Sequence, residues 1–291
     1  MTENKSSVSG STFGLRMVAL LSIVRWYNIL LIIVAQYISA WILSAHVGST
    51  PFYTDLKLHG IVLASIFTIA AGFIINNFYD FEKDLINRPA QTLFSRIISK
   101  RIALNYYILF NIIALVVAFA SSIKIGIFYS LFAFMLWVYS HKLQHMSFIK
   151  ELAASILSVA AFFAVLLHYS RYSSFIFVYG TFYMSLVYSR EIVKQFINLK
   201  GDLVLNIQSL PVSLGVEKAR SFLGFIMVLS FAGGMGILMY NGWLPSSYFI
   251  ALSLISLMAA GNFLRRNNYT VINVIYKVLL VLGILNLLLM L

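Results

Sequence analysis

Residues 76–89 carry acidic side chains where a hydrophobic segment of the chain gives way to a polar one, and they read NNFYDFEKDLINRP. Three of the nine Asp and Glu of the protein fall within five residues here. Asn76, Asp80 and Asp84 recur at every fourth position, so on a helix they share one face with about 40° of drift per step. Carboxylate and amide oxygens on one face predict a divalent metal site with Asp80 and Asp84 as catalytic ligands. The alternative is a set of solvated acids at a helix end.

A second polar segment, residues 190–202, reads REIVKQFINLKGD and is followed by SLPV at residues 209–212. Arg190 and Lys194 lie one helical turn apart, and guanidinium and ammonium groups are good ligands for phosphate. They can equally be anchors at the membrane surface or partners of Glu191. Asp202 is either a further catalytic acid or a residue that caps a loop, since Gly201 before it favours a turn.

Composition places the chain in a membrane. Hydrophobic residues make up 61%, charged residues only 10%, and the mean hydropathy is +0.90. Apolar runs of about 20 residues predict membrane-spanning helices, so we expect an all-α polytopic protein. The chain has no cysteine, which excludes a disulfide framework, a thiol nucleophile and a thiolate zinc site. The net charge of +12 comes from residues scattered over short loops, which argues against nucleic-acid binding.

Hydropathy predicts nine transmembrane helices that form a single domain over residues 1–291, with residues 1–16 as a short polar N-terminal tail. The spans are 17–44, 59–79, 103–121, 124–140, 149–170, 174–197, 219–240, 246–264 and 270–291. If the N-terminus is cytoplasmic, only Lys57, Lys124 and Arg171 of the 21 Lys and Arg lie outside, apart from Lys277 within the last span. This asymmetry predicts an integral protein of a bacterial inner membrane with both polar segments on the cytoplasmic side.

The two polar segments end the second and the sixth predicted span, which indicates a weak internal repeat. Their motifs resemble those of the UbiA superfamily of intramembrane prenyltransferases. That family carries N-D-x-x-D-x-x-x-D in one cytoplasmic loop, which Asn76, Asp80 and Asp84 match, followed here by Asn87-Arg88-Pro89. The family also carries R-E-x-x-K-D-x-x-D-x-x-G-D and then T-L-P-V, as in residues 190–212. This chain differs at several positions of both motifs and nearby: Asn77, Gln195 and Asn198 replace acids, and Lys150-Glu151 replaces a common Gly-Asn.

The resemblance implies that Mg²⁺ is the cofactor and that it is held by five polar residues: Asn76, Asp80, Asp84, Asn198 and Asp202. Because Gln195 and Asn198 bring no charge, a second ion is expected to bind more weakly than in typical relatives. The resemblance further implies a set of residues that bind substrate: Arg25, Asn28, Arg88, Tyr139, Lys142, Arg190 and Lys194. The ring face of Tyr139 would stabilise an allylic cation. For Arg25, snorkelling to the interface beside Trp26 is nearly as good an account.

The function predicted from the resemblance is Mg²⁺-dependent transfer of a prenyl group from an isoprenyl diphosphate to a lipophilic acceptor. The acceptor is a geranylgeranylglycerol phosphate or, next, an aromatic of the 4-hydroxybenzoate type. Membrane lipids are the other expected partner, and the sequence indicates neither a protein partner nor a nucleic acid. Three alternatives stay open: a terpene cyclase on the same frame, a non-catalytic protein that binds isoprenoids, and a transporter, which the acids at the membrane edge disfavour.

Overall fold

The structure, a computed structural model, describes residues 6–47, 51–87, 89, 92, 97–143, 146–170, 174–241 and 247–286. Its regular elements over these residues are α-helices and one 3₁₀ turn, Phe52–Thr54. The helices in chain order are α1 Ser6–Ile23, α2 Trp26–Val47, α3 Leu56–Asn87, α4 Lys100–Ser121, α5 Ile123–His141, α6 Ile149–Tyr169, α7 Ser174–Val204, α8 Leu210–Leu214, α9 Val216–Asn241, α10 Ser247–Arg265 and α11 Tyr269–Asn286.

The all-α membrane architecture is confirmed. Within the described ranges, eight helices are long and apolar enough to cross a bilayer, and each of the nine predicted spans corresponds to a helix. Helix α7 matches a predicted span but is not among the eight helices that are long and apolar enough. Polar residues follow its apolar stretch from position 190 onward. The chain is therefore an integral membrane protein in which α3 and α7 continue well past their apolar parts.

The N-terminal region differs from the prediction. The span expected at 17–44 is broken after Ile23, and Arg25 takes a left-handed backbone conformation with φ of 51°. A hydropathy average over some twenty residues does not register one polar residue in an apolar run, so this break was missed. Helix α1 also begins at Ser6, inside the segment expected to be a tail.

Over the described residues, two large hydrophobic clusters form most of the core, one in each half of the chain, and a smaller third cluster joins α2, α3 and α6. The first is built on α3, α4 and α5 around Ile61, Ile74 and Tyr129, and the second on α7, α10 and α11 around Ile250 and Tyr276. This division agrees with the predicted internal repeat, since each half contains one of the two helices, α3 and α7, that end in a polar motif.

Buried hydrogen bonds tie the helices of the first half together. The side-chain amide of Gln36 donates to Ser65 Oγ at 2.7 Å and to the carbonyl of Ala161 at 2.9 Å. Tyr129 Oη lies 2.5 Å from Ser65 Oγ and donates to the carbonyl of Ile61 at 3.1 Å. Since the bilayer core offers no water to these groups, their bonds fix how α2, α3, α5 and α6 pack.

The two halves meet where α3 and α7 end. The backbone amide of Gly201 donates to Asn87 Oδ1 at 2.9 Å, which links the last turn of α7 to the last residue of α3. Ser147, just before α6, donates to the carbonyl of Gln208 at 2.6 Å. These contacts bring both polar segments to the same end of the helix bundle.

Gly201 has no room for a side chain. A Cβ at this position would lie 2.8 Å from both Cγ and Oδ1 of Asn87 and closer still to its Nδ2. Glycine is otherwise unfavourable inside a helix by about 1 kcal/mol relative to alanine. The close approach of the two helix ends explains why it is retained in α7.

We expect Gly201→Ala to lower the free energy of unfolding by about 1–2 kcal/mol, because Asn87 must leave its place and its hydrogen bond. Thermal unfolding of the purified protein in detergent measures this. Gly180→Ala is the matched control, since the same helix leaves open space around Gly180 and alanine should be neutral or slightly stabilising there. A variant at position 201 as stable as the wild type would contradict the close contact.

Candidate functional site

The first predicted motif lies on the final turns of α3, and its expected face exists. Asn76 Nδ2 donates to Asp80 Oδ2 at 2.8 Å, which fixes the carboxylate one turn further along. Asp80 and Asp84 are both half-buried, so they are neither sealed in the core nor fully solvated. The hydrogen bond from Asn76 engages Oδ2 of Asp80 and not Oδ1. Oxygens of carboxylate and amide groups are suitable ligands for Mg²⁺.

The second motif reaches the first through an ion pair that the sequence did not reveal. Lys83, between Asp80 and Asp84, places its Nζ 2.5 Å from Asp202 Oδ1. The side chain of Asp202 has no exposed surface and that of Lys83 retains 10%. Neither oxygen of Asp202 accepts a hydrogen bond in directional geometry, so the attraction is ionic. The ion pair joins α3 to α7 across the two halves.

Gln195, which stands where the family has an acid, serves the backbone of the neighbouring loop. Its Oε1 accepts a hydrogen bond of 2.7 Å from the amide of Leu210, the first residue of α8, and the residue is buried. The amide nitrogens at the start of a helix have no partner within the helix, so Gln195 satisfies one of them. Asn198, one turn further along α7, is half-buried.

The two predicted cations of α7 are held in place by neighbours. Lys194 Nζ lies 2.6 Å from Glu191 Oε2, and Arg190 Nε donates to Asn273 Oδ1 of α11 at 3.2 Å. Arg190 is also 3.9 Å from the other oxygen of Glu191. The side chains of Arg190 and Lys194 are 23% and 29% exposed, respectively, so both retain access to a ligand.

Other predicted residues surround this group to differing degrees. Arg25 packs its guanidinium over the ring of Phe73, 5.3 Å from the centroid, and both Arg25 and Asp80 interact electrostatically with Tyr139. Tyr139 therefore lies among the charged residues of the site. Asn28 is half-buried near Arg25, whereas Lys142 is exposed at the end of α5. Arg88 lies outside the described residues.

Sequence reasoning named Glu191 as a partner of Arg190 and Lys194 but gave no role in the site to three other charged residues of this cluster: Lys83, Lys150 and Glu151. Lys150 interacts electrostatically with Lys83, Asp202, Glu151 and Asp80, so it lies between the two motifs. Glu151 is fully buried, and its oxygens accept no hydrogen bond, although the amides of Phe148 and Glu151 itself lie near the carboxyl group. The sequence did contain a signal for Glu151. Acids are rare in this chain, which has only nine, and an acid at the start of an apolar helix is costly unless it has a function.

The part of the chain described by the structure contains no group of three or more acidic or histidine side chains able to hold a metal ion. Mg²⁺ typically takes only one or two carboxylates and completes its shell with water and phosphate oxygens, so Asp80 and Asp84 suffice as a protein contribution. Cations, two half-buried acids and an aromatic ring at one end of an apolar bundle suit an anionic headgroup with a long apolar tail.

Comparison with known proteins agrees with this arrangement. A digeranylgeranylglyceryl phosphate synthase of Methanosphaera stadtmanae is 31% identical over 184 residues, which span 62% of this chain and 65% of the relative. The chain thus spans slightly less than two thirds of that protein. The synthase of the same name from Sulfolobus acidocaldarius is 29% identical over 82% of each chain.

A solved structure supplies the same fold. The UbiA homologue from Archaeoglobus fulgidus, bound to GPP and Mg²⁺, superposes with a TM-score of 0.67 at 17% identity, covering 92% of this chain and 99% of the homologue. The sequence model described as the UbiA prenyltransferase family matches residues 36–281, which include both motifs. The chain therefore belongs to the UbiA prenyltransferase family.

Proposed function

We propose that this protein transfers a prenyl group from an isoprenyl diphosphate to a lipophilic acceptor in a reaction that requires Mg²⁺. One observation carries the proposal: Asp80 of α3 and Glu191 of α7, which is paired with Lys194, both interact electrostatically with Tyr139, so charges of the two motifs form one cluster beside helices that are otherwise apolar. A diphosphate head fits the charges, and its tail fits the apolar surfaces of the bundle.

In this proposal Asp80 and Asp84 hold Mg²⁺ together with Asn76, whose amide fixes the orientation of Asp80. Bound Mg²⁺ supplies positive charge to the diphosphate oxygens and stabilises the negative charge that builds up as the C–O bond breaks. Asn198 and Asp202 belong to the other motif, where Asp202 is paired with Lys83, so they are not among the ligands of this ion.

Arg190 and Lys194 would bind the diphosphate, assisted by Arg88 and by Lys142 at the end of α5. Arg190 Nε donates to Asn273 and one terminal guanidinium nitrogen lies 3.9 Å from Glu191, so a phosphate oxygen would meet a guanidinium that is already oriented. Glu191 holds Lys194 at 2.6 Å and reduces its freedom before the ligand arrives. These groups position the leaving diphosphate without taking part in bond formation.

Tyr139 would face the carbon that loses the diphosphate, because it already lies among Asp80, Arg25 and Glu191. An aromatic face stabilises a neighbouring cation by about 0.5–2 kcal/mol. Arg25 and Asn28, at the break between α1 and α2, would line the entry for the substrate headgroup. The acceptor then attacks the terminal carbon of the prenyl chain.

The acceptor class follows from the relatives named digeranylgeranylglyceryl phosphate synthase. We expect a prenylated glycerol phosphate first and an aromatic of the 4-hydroxybenzoate type second. The distribution of Lys and Arg favours a cytoplasmic position for the site, at the inner face of the plasma membrane. That the membrane is bacterial is a prediction from the sequence.

The direct test follows diphosphate release and product mass in purified protein supplied with Mg²⁺ and isoprenyl diphosphates of several lengths, with and without each acceptor. Transfer requires an acceptor, so we expect product carrying both groups. A cyclised product formed without an acceptor would indicate a terpene cyclase. Absence of diphosphate release with every donor would indicate a protein that only binds isoprenoids.

We expect Asp80→Asn and Asp84→Asn each to lower turnover by about 10²-fold or more, because the metal-assisted stabilisation of the leaving diphosphate is lost. The measurement is the steady-state rate of diphosphate release at saturating donor. Glu82→Gln is the matched control, since Glu82 is an exposed acid between these two positions. Unchanged rates in both variants would rule out their role as metal ligands.

We expect Arg190→Lys to raise the donor KM by roughly tenfold while changing kcat less, since an ammonium cannot bind two phosphate oxygens in the plane of a guanidinium. Steady-state kinetics over a range of donor concentrations separate the two effects. Arg266→Lys, at an exposed position of the chain, should leave both constants near those of the wild type. An unaltered KM in the Arg190 variant would remove this residue from the diphosphate site.

A further inference from the structure

We infer that Lys83 takes the place of a second metal ion, so that the site holds one Mg²⁺ for each bound isoprenyl diphosphate. The inference rests on the proposed prenyl transfer. It concerns the second motif, where Asn198 and Asp202 were expected to ligate a metal and Gln195 stands in place of an acid. The residues of this motif do not fit a divalent ion because of a buried ion pair, the chemistry of two amide side chains and the cations nearby.

The first reason is that the one remaining acid is occupied and enclosed. The ammonium of Lys83 lies 2.5 Å from Asp202 Oδ1, and the side chain of Asp202 has no exposed surface. A metal ion would have to displace this ammonium and admit water or phosphate oxygens to a sealed position. The incoming ion would neutralise Asp202, but the displaced ammonium of Lys83, whose side chain is only 10% exposed, would lose its counter-charge, which opposes the exchange.

The second reason is that the amide side chains of the motif offer no replacement. Gln195 is only 3% exposed, and its Oε1 already accepts the hydrogen bond from Leu210, so a metal ion would have to compete with that bond at a buried position. An amide nitrogen donates hydrogen bonds and is not a ligand for Mg²⁺, which prefers oxygen. Asn198 contributes at most a neutral oxygen, which by itself does not offset the loss of hydration of the ion.

The third reason is the cation already present nearby. Lys150 interacts electrostatically with Lys83, Asp202 and Asp80, so a divalent ion at Asp202 would meet two ammonium groups. At the first motif, by contrast, Asp80 is half-buried and its orientation is fixed by a neutral amide. Lys150 interacts with both motifs, but the ammonium of Lys83 is paired with Asp202 and not with Asp80, so the charges favour a metal ion at the first motif over one at the second.

The test counts ions directly and does not depend on turnover. Purified full-length protein in detergent is titrated with Mn²⁺, the paramagnetic substitute for Mg²⁺, in the presence of geranylgeranyl thiolodiphosphate, which resists ionisation. Equilibrium dialysis with electron paramagnetic resonance gives the bound Mn²⁺ for each bound analogue. We expect one. Two ions per bound analogue would overturn the inference and leave the proposed function standing, whereas failure to bind the analogue would overturn both.

A gain-of-site variant gives the complementary result. Replacing Lys83→Met, Gln195→Asp and Asn198→Asp together removes the ammonium and restores acids, so the bound Mn²⁺ for each analogue should double. Lys200→Met is the control, because Lys200 is an exposed lysine of α7, the helix that carries Gln195 and Asn198. This variant should keep a ratio of one. A triple variant that folds yet still binds one ion would show that Lys83 is not what excludes the second.

A milder double variant keeps the inference testable if the triple variant does not fold. Lys83→Met with Asp202→Asn removes both charges of the pair and leaves no buried charge unpaired. We expect this variant to unfold at a temperature closer to that of the wild type than Lys83→Met alone, and still to bind one Mn²⁺ for each analogue. Loss of that ion would place Lys83 or Asp202 at the first metal and contradict the inference.

Discussion

Charged groups in a bilayer must find partners, and this requirement arranges the functional end of the molecule. Helices α3 and α7 carry Asp80, Lys83, Arg190 and Asp202 on turns that follow their apolar stretches, and Lys83 and Asp202 are buried there. An unpaired ion there is expensive, so Lys83 and Asp202 meet across the two halves of the chain. The same pairing brings the face of α3 that carries Asn76, Asp80 and Asp84 to the side of the cations of α7. The charged end of the bundle is thus a consequence of neutralising charges on two extended helices.

Much of the fold could be predicted from the sequence because its signals are local. Apolar length alone identifies the membrane helices, and the four-residue repeat of Asn76, Asp80 and Asp84 correctly predicted a helical face. The break at Arg25 was missed because an average over a whole span dilutes a single backbone conformation. The bounds of α3 and α7 were too short for a related reason: their polar ends resemble loops in hydropathy, yet tertiary contacts keep them helical.

The candidate site was less predictable, because partners distant in sequence decide what each side chain does. Gln195 occupies an acid's position in the motif, but its oxygen serves the amide of Leu210 on the neighbouring loop. Lys83 has no expected role in the motif, yet it provides the counter-charge for Asp202. Each pairing depends on how closely the helix ends approach, and that distance is set by contacts such as Asn87 with Gly201. No pattern within a single motif contains this information.

A fixed ammonium and an exchangeable metal ion differ in what they give a binding site. Mg²⁺ arrives with water and can bridge oxygens of the protein and the ligand, so its charge is shared with the substrate. The charge of Lys83 is already balanced by Asp202 and stays with the protein. The second motif is therefore ordered before any ligand binds, and Arg190 and Lys194 on the same helix are held in position without a metal ion. A site with one metal ion directs less positive charge at the diphosphate. In return, α7 is preorganised, so fewer groups have to be ordered when the donor binds.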